Sequence, residues 1–226
     1  MIAKIFGEVK PLLTSKNLII YMRIEKESSM FLADSVFELD ILDKIEDLFE
    51  HDVMDTIMKG ITHLGDAGII WIIITLCLLI SKQYRKLGIL MAIGLILGLI
   101  IGNGIVKNLV SRQRPFELAD KINRNFFIKI DKPTDRSFPS GHTQASFIAA
   151  TILMMAKRKF GIPALILAIL IAFSRLYLKV HFPTDVLGGL LMGVAIGLTV
   201  WFVYKWKFEK KFGPVIEPKI KPKKEK

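Results

Sequence analysis

Long uncharged stretches separated by short charged turns dominate the middle of the chain. Residues 67–81, 87–106, 138–156, 160–174 and 186–204 contain no Asp, Glu, Lys or Arg. A bilayer core of about 30 Å needs about 20 helical residues, and the shorter stretches reach that length when their flanking turns are included. A soluble protein rarely has five such stretches in succession. The pattern therefore predicts about five transmembrane helices.

The two ends of the chain have a different character. Residues 36–49 place apolar side chains roughly at helical period with acidic ones between them, which is typical of an amphipathic helix at a membrane interface. We expect an N-terminal interfacial segment over 1–56, a membrane domain over 57–204, and a basic tail over 205–226 that is disordered. The predicted fold class is all-α, a polytopic membrane helical bundle.

A net charge of +11 could reflect binding to nucleic acid or to a lipid bilayer, and the distribution of the charge distinguishes the two. Residues 205–226 contain nine Lys and three Glu, and residues 82–86 and 157–159 each contain three Lys or Arg. Basic residues beside a span mark its cytoplasmic side, so the tail should be cytoplasmic and residues 107–136 and 179–184 extracytoplasmic. No nucleic-acid motif or interleaved aromatic residues accompany the charge. We expect a lipid bilayer and not nucleic acid as the partner, and the oligomeric state stays open.

Three polar clusters fall at the ends of apolar stretches that should reach the extracytoplasmic face. Ionisable residues are costly at such positions, so their grouping predicts one functional site. Arginine suits bidentate contact with phosphate oxygens, and the start of a helix can bind an anion through its backbone N–H groups. The clusters therefore predict a phosphoryl-transfer site. Their principal residues are Lys107, Arg114, Ser140, Gly141, His142, Arg175, His181 and Asp185.

Two histidines of this site can divide the chemistry between a nucleophile and a general acid. Pro183 suits the first position of a helix, which puts Asp185 in its first turn and close to His181. A carboxylate there can fix the tautomer of the ring and leave the other nitrogen free to attack phosphorus. His142 has no acid so close in sequence. It is the better candidate for the general acid.

Other polar residues have simpler interpretations. Asp66 lies at the mouth of the first predicted span, where a helix cap is the favoured role. His51 and His63 lack comparable surroundings and receive no role. The single cysteine of the chain excludes an internal disulfide.

The polar clusters form three ordered motifs with fixed spacing. They are Lys107-x6-Arg114-Pro115, Pro139-Ser140-Gly141-His142 and Ser174-Arg175-x5-His181-x3-Asp185. Together they resemble the three-part signature of the type 2 phosphatidic acid phosphatase superfamily, which includes the vanadium haloperoxidases. Every signature position carries the expected residue. Many membrane members have six spans, whereas here the interfacial segment stands in place of the first.

The resemblance implies a fold and a set of roles. It implies an all-helical core and a metal-independent phosphatase that uses no cofactor. It also implies that His181 is the nucleophile, Asp185 its partner and His142 the acid. The residues that it implies for holding the phosphate are Lys107, Arg114, Ser140, Gly141 and Arg175.

The sequence thus predicts an integral membrane lipid phosphatase that hydrolyses a phosphate monoester or diphosphate at the extracytoplasmic face. The resemblance suggests undecaprenyl diphosphate, phosphatidylglycerophosphate or phosphatidic acid as the substrate. The polyprenyl diphosphate is slightly favoured because short bacterial relatives often act on it. Two alternatives remain. One is a lipid phosphotransferase with the same site, and the other is a non-catalytic binder or transporter of lipid phosphates.

Overall fold

The structure is a computed structural model that describes residues 35–217, and this part of the chain contains helices and no strand. The all-α prediction is confirmed. Two compact units divide the chain, Met1–Ile41 and Leu42–Lys226, and the candidate site belongs to the second. The helices are α1 (35–49), α2 (Asp52–Leu64), α3 (Ile69–Ile80), α4 (Arg85–Gly98), α5 (Pro115–Lys121), α6 (Gly141–Ala156), α7 (Arg158–Tyr177) and α8 (Pro183–Val203).

Three helical stretches are long and apolar enough to cross a membrane, namely Arg85–Lys121, Arg158–Tyr177 and Pro183–Phe212. A fourth candidate is the pair Asp52–Leu64 and Asp66–Ile80, which is bent by 46° at its break. Helix α6 has 16 residues, fewer than such a span, and packs in the bundle against α4, α7 and α8. The described residues therefore contain three or four candidate spans. The total of five and the interfacial position of α1 stay predictions.

A row of glycines lets α8 approach α6 closely. Gly189, Gly193 and Gly197 are spaced by four residues, so they share one face of the helix. A Cβ atom at Gly189 would lie 2.6 Å from the backbone oxygen of Ser140, and one at Gly193 would lie 2.6 Å from that of Gln144. Small residues at such a crossing allow two backbones to meet without intervening side chains. The crossing fixes the start of α6 beside the start of α8.

Helix α4 continues through a π-helical stretch, Leu99–Val106, into a last turn, Lys107–Val110. Ser111 then adopts a left-handed conformation with φ 47° and ends the helix. π-Helical turns within α-helices are frequent at functional sites. Here the stretch leads directly to Lys107, which is buried although it stands at a helix end.

The C-terminal helix is longer than the sequence predicts, since the stretch that begins with α8 ends at Phe212. Lys86 donates to the backbone oxygen of Phe212 and to the carboxylate of Glu217. A lysine that binds the last carbonyl groups of a helix stabilises that end. Residues 205–212 are thus helical, and residues 218–226 lie outside the described range, so the predicted disorder of the tail stays a prediction.

Candidate active site

The predicted site residues meet at one end of the bundle, around a cavity of about 910 Å³. Six of the eight line this cavity. Ser140 and Asp185 do not line it but are fully buried. The backbone N–H of Ser140 donates to the backbone oxygen of Asp185 at 3.0 Å, which ties the start of α6 to the start of α8. The six lining residues are Lys107, Arg114, Gly141, His142, Arg175 and His181.

The two residues of the predicted nucleophilic pair are buried side by side. Nδ1 of His181 lies 3.6 Å from Oδ2 of Asp185, which is longer than a hydrogen bond. The hydroxyl of Ser137 donates to the same Oδ2 and lies 3.5 Å from Nδ1. The backbone N–H of Phe182 also donates to Oδ2, at 2.8 Å, because Asp185 closes the capping box of α8. The carboxylate is thus held fixed against the ring.

Arg112 is a further partner of this carboxylate that the sequence analysis did not single out. Its Nη1 lies 2.8 Å from Oδ1 of Asp185, and its guanidinium group stands 4.0 Å from the centre of the Phe182 ring. Ser137 was likewise not assigned a role. Both residues sit inside or next to the motifs, but their spacing to Asp185 exceeds 40 residues, so no local pattern could pair them.

Burial holds the imidazole of His181 in its neutral form. Only 1% of the residue is exposed. Burial lowers the pKa of His181 to about 3, the charges of Arg114 and Arg175 act in the same direction, and Asp185 opposes them. A neutral ring at physiological pH has a free electron pair, which a nucleophile requires.

Three cations line the cavity next to this ring, and all of them are buried. Lys107 is 7% exposed, Arg114 2% and Arg175 3%. Nη1 of Arg114 lies 3.4 Å from Nε2 of His181. Arg175 donates to the hydroxyl of Thr62, while its buried Nε has no hydrogen-bond partner among the described residues. Buried cations that face one space need an anion between them, so the cavity is suited to a phosphate group.

A carboxylate of the chain already contacts two of these cations. Asp135 pairs with Lys107, and its Oδ1 lies 2.6 Å from Nη2 of Arg114. Although partial burial would raise it, the two cations lower the pKa of Asp135 well below its usual range. Asp135 stands 28 residues after Lys107 in the chain, and sequence reasoning gave no signal for it.

The predicted acid, His142, has a carboxylate partner from another helix. Its Nε2 lies 2.9 Å from Oδ1 of Asp66, and Oδ2 of Asp66 lies 2.8 Å from Nδ1 of His63. Asp66, which the sequence predicts as a helix cap, therefore contacts two histidine rings. His63 has a polar partner that the sequence did not indicate. His51 instead caps α2 by accepting from the backbone N–H of Val53 at 3.2 Å.

Within residues 35–217, no group of three or more His, Cys, Asp or Glu side chains is arranged to hold a metal ion. The arrangement contains a neutral buried imidazole, three buried cations that can hold an anion, and a second histidine paired with a carboxylate. These are the groups that phosphoryl transfer through an enzyme nucleophile requires.

Comparisons with known proteins place these residues in a family. The model of the PAP2 superfamily matches residues 83–209, a range that includes all three motifs. Undecaprenyl-diphosphatase of Sulfolobus acidocaldarius is 37% identical over 124 residues, which are 54% of this chain and 58% of that protein. Undecaprenyl-diphosphatase BcrC of Bacillus subtilis is 31% identical over 154 residues, which are 68% of this chain and 77% of that protein. The chain thus spans little more than half of the archaeal relative.

A solved structure gives the same result at the level of the fold. The crystal structure of the first transmembrane PAP2 type phosphatidylglycerolphosphate phosphatase from Bacillus subtilis superposes with a TM-score of 0.65. It is 25% identical in sequence, and the match covers 88% of this chain and 98% of that one. The family match covers more than half of the chain and agrees with the fold and the motifs. This chain belongs to the PAP2 superfamily.

Proposed function

We propose that the protein is an integral membrane lipid phosphatase that works through a phosphohistidine and needs no metal ion. The observation that carries the proposal is the placement of His181, whose neutral ring lies against Asp185 on one side and within 3.4 Å of Arg114 on the other. A phosphate held by Lys107, Arg114 and Arg175 would present its phosphorus atom to this ring.

The proposed reaction has two steps. In the first, a nitrogen of His181 forms a bond to phosphorus while the bond from phosphorus to the leaving oxygen breaks. His142, whose protonated form the bound phosphate anion stabilises, gives that oxygen a proton. In the second, a water molecule attacks the phosphohistidine, His142 takes a proton from the water, and the N–P bond breaks. Inorganic phosphate and the dephosphorylated lipid leave. Asp185 stabilises the positive charge on His181 that develops in the first step.

The walls of the cavity support an amphiphilic substrate. Its polar end holds the cations and histidines, and it continues between α3 and α4 along apolar side chains. A ligand with a charged head and a hydrocarbon chain matches this division. The apolar residues on these walls are Ile72, Leu76, Leu79, Ala92, Leu95, Ile96 and Leu99.

Two substrate classes follow from the names of the similar proteins. One is undecaprenyl diphosphate, after the relatives from Sulfolobus and Bacillus, and the other is phosphatidylglycerophosphate, after the solved structure. We favour undecaprenyl diphosphate, since two relatives with that name match the chain over 124 and 154 residues. Phosphatidic acid is a third candidate.

We further propose that the site faces the extracytoplasmic side and that the C-terminus is cytoplasmic. The basic segments 82–86, 157–159 and 205–212 support this orientation, because an excess of Lys and Arg marks cytoplasmic loops. The site lies at the opposite ends of the same helices. A substrate would then enter from the outer leaflet.

The test of the function is phosphate release by the purified protein in detergent, with a chelator present, from undecaprenyl diphosphate, phosphatidylglycerophosphate and phosphatidic acid. We expect turnover of at least one lipid, with no change on chelation, and its loss in His181→Ala. A phosphotransferase would instead move the phosphoryl group to a second lipid, which product analysis detects. Binding without any product would contradict catalysis.

A further inference from the structure

The break between α2 and α3 places the carboxylate of Asp66 beside His142. It consists of Gly65 and a single 3₁₀ turn, Asp66–Gly68. Ala67 has φ 50° and Gly68 has φ 70°, so both adopt the left-handed conformation. This conformation is unfavourable for alanine and persists only where the surroundings enforce it. The turn lies before residue 83, where the family match begins.

The backbone at this break packs closely against the ring of His142. A Cβ atom at Gly65 would lie 2.6 Å from Cδ2 of His142, so the imidazole ring lies close to the backbone here and a larger residue would have to displace it. The next residue, Asp66, then reaches Nε2 of the same ring at 2.9 Å. The two helical halves are bent by 46° at this break.

A second histidine orients the carboxylate. Nδ1 of His63, in the last turn of α2, lies 2.8 Å from Oδ2 of Asp66, while Oδ1 is the oxygen that contacts His142. Each carboxylate oxygen therefore serves one histidine. Both His63 and Asp66 line the cavity, with 67% and 53% of their side chains exposed, and the side chain of His142 is 19% exposed.

We propose that Asp66 is a positioning residue for the general acid His142 and that His63 holds Asp66 in place. The inference rests on the proposed function. Because Nε2 of His142 faces the carboxylate, Nδ1 is the nitrogen that gives its proton to the leaving oxygen as the bond to phosphorus breaks. His142 is then neutral, with its remaining proton on Nε2. In the second step, Nδ1 regains a proton from the attacking water.

The test compares substrates that differ in their need for an acid. Phosphatidic acid loses a basic alkoxide, whereas 4-nitrophenyl phosphate loses a stable phenolate that leaves without protonation. In the full chain in detergent, Asp66→Asn should lower kcat/KM on phosphatidic acid by about 10- to 100-fold, part of the effect of a general acid. It should leave kcat/KM on 4-nitrophenyl phosphate, which covers only the steps up to formation of the phosphohistidine, within about twofold of the parent protein. His63→Gln should act in the same direction but more weakly.

A matched control and a double variant separate this role from others. Asp131→Asn removes another carboxylate at the rim of the cavity and should change neither rate. Adding Asp66→Asn to His142→Ala should cause no further loss, because the two residues act as one unit. A thermal unfolding curve like that of the parent protein shows that the Asn variant is folded.

Several results would overturn the proposal. An equal loss on both substrates would assign Asp66 to the nucleophilic step or to folding, and a full additional loss in the double variant would separate it from His142. Faster turnover in Asp66→Asn would mean that the carboxylate occupies the place of the leaving oxygen. Failure of the proposed function is distinct, since it would show as no product from any lipid phosphate with the parent protein, or as activity that His181→Ala retains on both substrates.

Discussion

His181 gives the clearest prediction about pH at the scale of single residues. With its pKa lowered to about 3 by burial, the ring is neutral above that value and gains a proton only as the pH falls through it. We expect the acid limb of kcat/KM on 4-nitrophenyl phosphate to lie well below pH 6.5, the ordinary value for histidine. A pH series in detergent measures this limb. A limb between pH 6 and 7 in the free enzyme would contradict the buried neutral ring.

Asp185 is the residue whose isosteric change should cost most without removing the nucleophile. Its oxygens accept from Arg112, Ser137 and the backbone of Phe182. An amide would bring an N–H group against one of these donors and lose the charge that stabilises His181. We expect Asp185→Asn to lower kcat by about 10³- to 10⁴-fold, as for the aspartate of a Ser-His-Asp triad.

The control for this variant is Asp120→Asn, an exposed carboxylate that pairs with Lys132 at 3.5 Å. It should change kcat by less than twofold. Steady-state rates of both variants decide the matter. A loss of less than tenfold in Asp185→Asn would mean that the charge of Asp185 is not needed to orient or stabilise His181.

The residues that the sequence predicts for the site meet around one cavity, but their supporting contacts were not predictable. The motifs have fixed spacing and contain both histidines and the three buried cations, so residue types and order were enough to group them. Asp66 is separated from its partner His142 by 76 positions in the sequence, and Asp135 from Lys107 by 28. Such pairings depend on how helices pack, which no local pattern carries.

At the scale of elements, the glycine row on α8 should set the distance between α6 and α8, and this can be tested. A methyl group at Gly193 would lie 2.6 Å from the backbone oxygen of Gln144, so α6 and α8 must separate to admit it. We expect Gly193→Ala to lower the free energy of unfolding by about 1–3 kcal/mol, the usual cost of overpacking. Thermal unfolding in detergent measures the change.

Gly60 on α2 is the matched control, because a Cβ atom there would meet nothing within 4 Å. Alanine at an open helical position is favoured over glycine by up to about 1 kcal/mol. Gly60→Ala should therefore raise the unfolding temperature slightly. Equal destabilisation of both variants would mean that the row of glycines does not set the distance between α6 and α8.

Hydropathy predicted where two of the helical stretches begin but not where they end. The uncharged residues 87–106 and 186–204 correspond to the stretches Arg85–Lys121 and Pro183–Phe212, which continue beyond them. The break at Asp66–Gly68 and the π-helical stretch Leu99–Val106 were not predicted. The break accompanies the packing of Gly65 on His142, a contact between distant residues that no local pattern carries. Hydropathy stays high across the π-helical stretch, so it gives no signal there.

At the scale of the whole molecule, the orientation in the membrane can be tested by thiol labelling. In a Cys77→Ser background, single cysteines at Lys82 and Lys159 should be protected from an impermeant reagent in intact cells, since basic loops stay cytoplasmic. A cysteine at Lys121, at the end of α5, should react. All three should react after the cells are permeabilised. Labelling of the first two but not the third would reverse the orientation.

The central claim is that His181 forms a covalent bond to phosphorus. Brief incubation with a lipid phosphate labelled on its terminal phosphate, followed by an alkaline quench that preserves phosphohistidine, should leave label on the protein. His181→Ala should lose the label and the turnover together, while His51→Ala, which changes a histidine in the cap of α2, should keep both. Turnover by His181→Ala at the rate of the parent protein, or activity that a chelator abolishes and a divalent cation restores, would contradict the account.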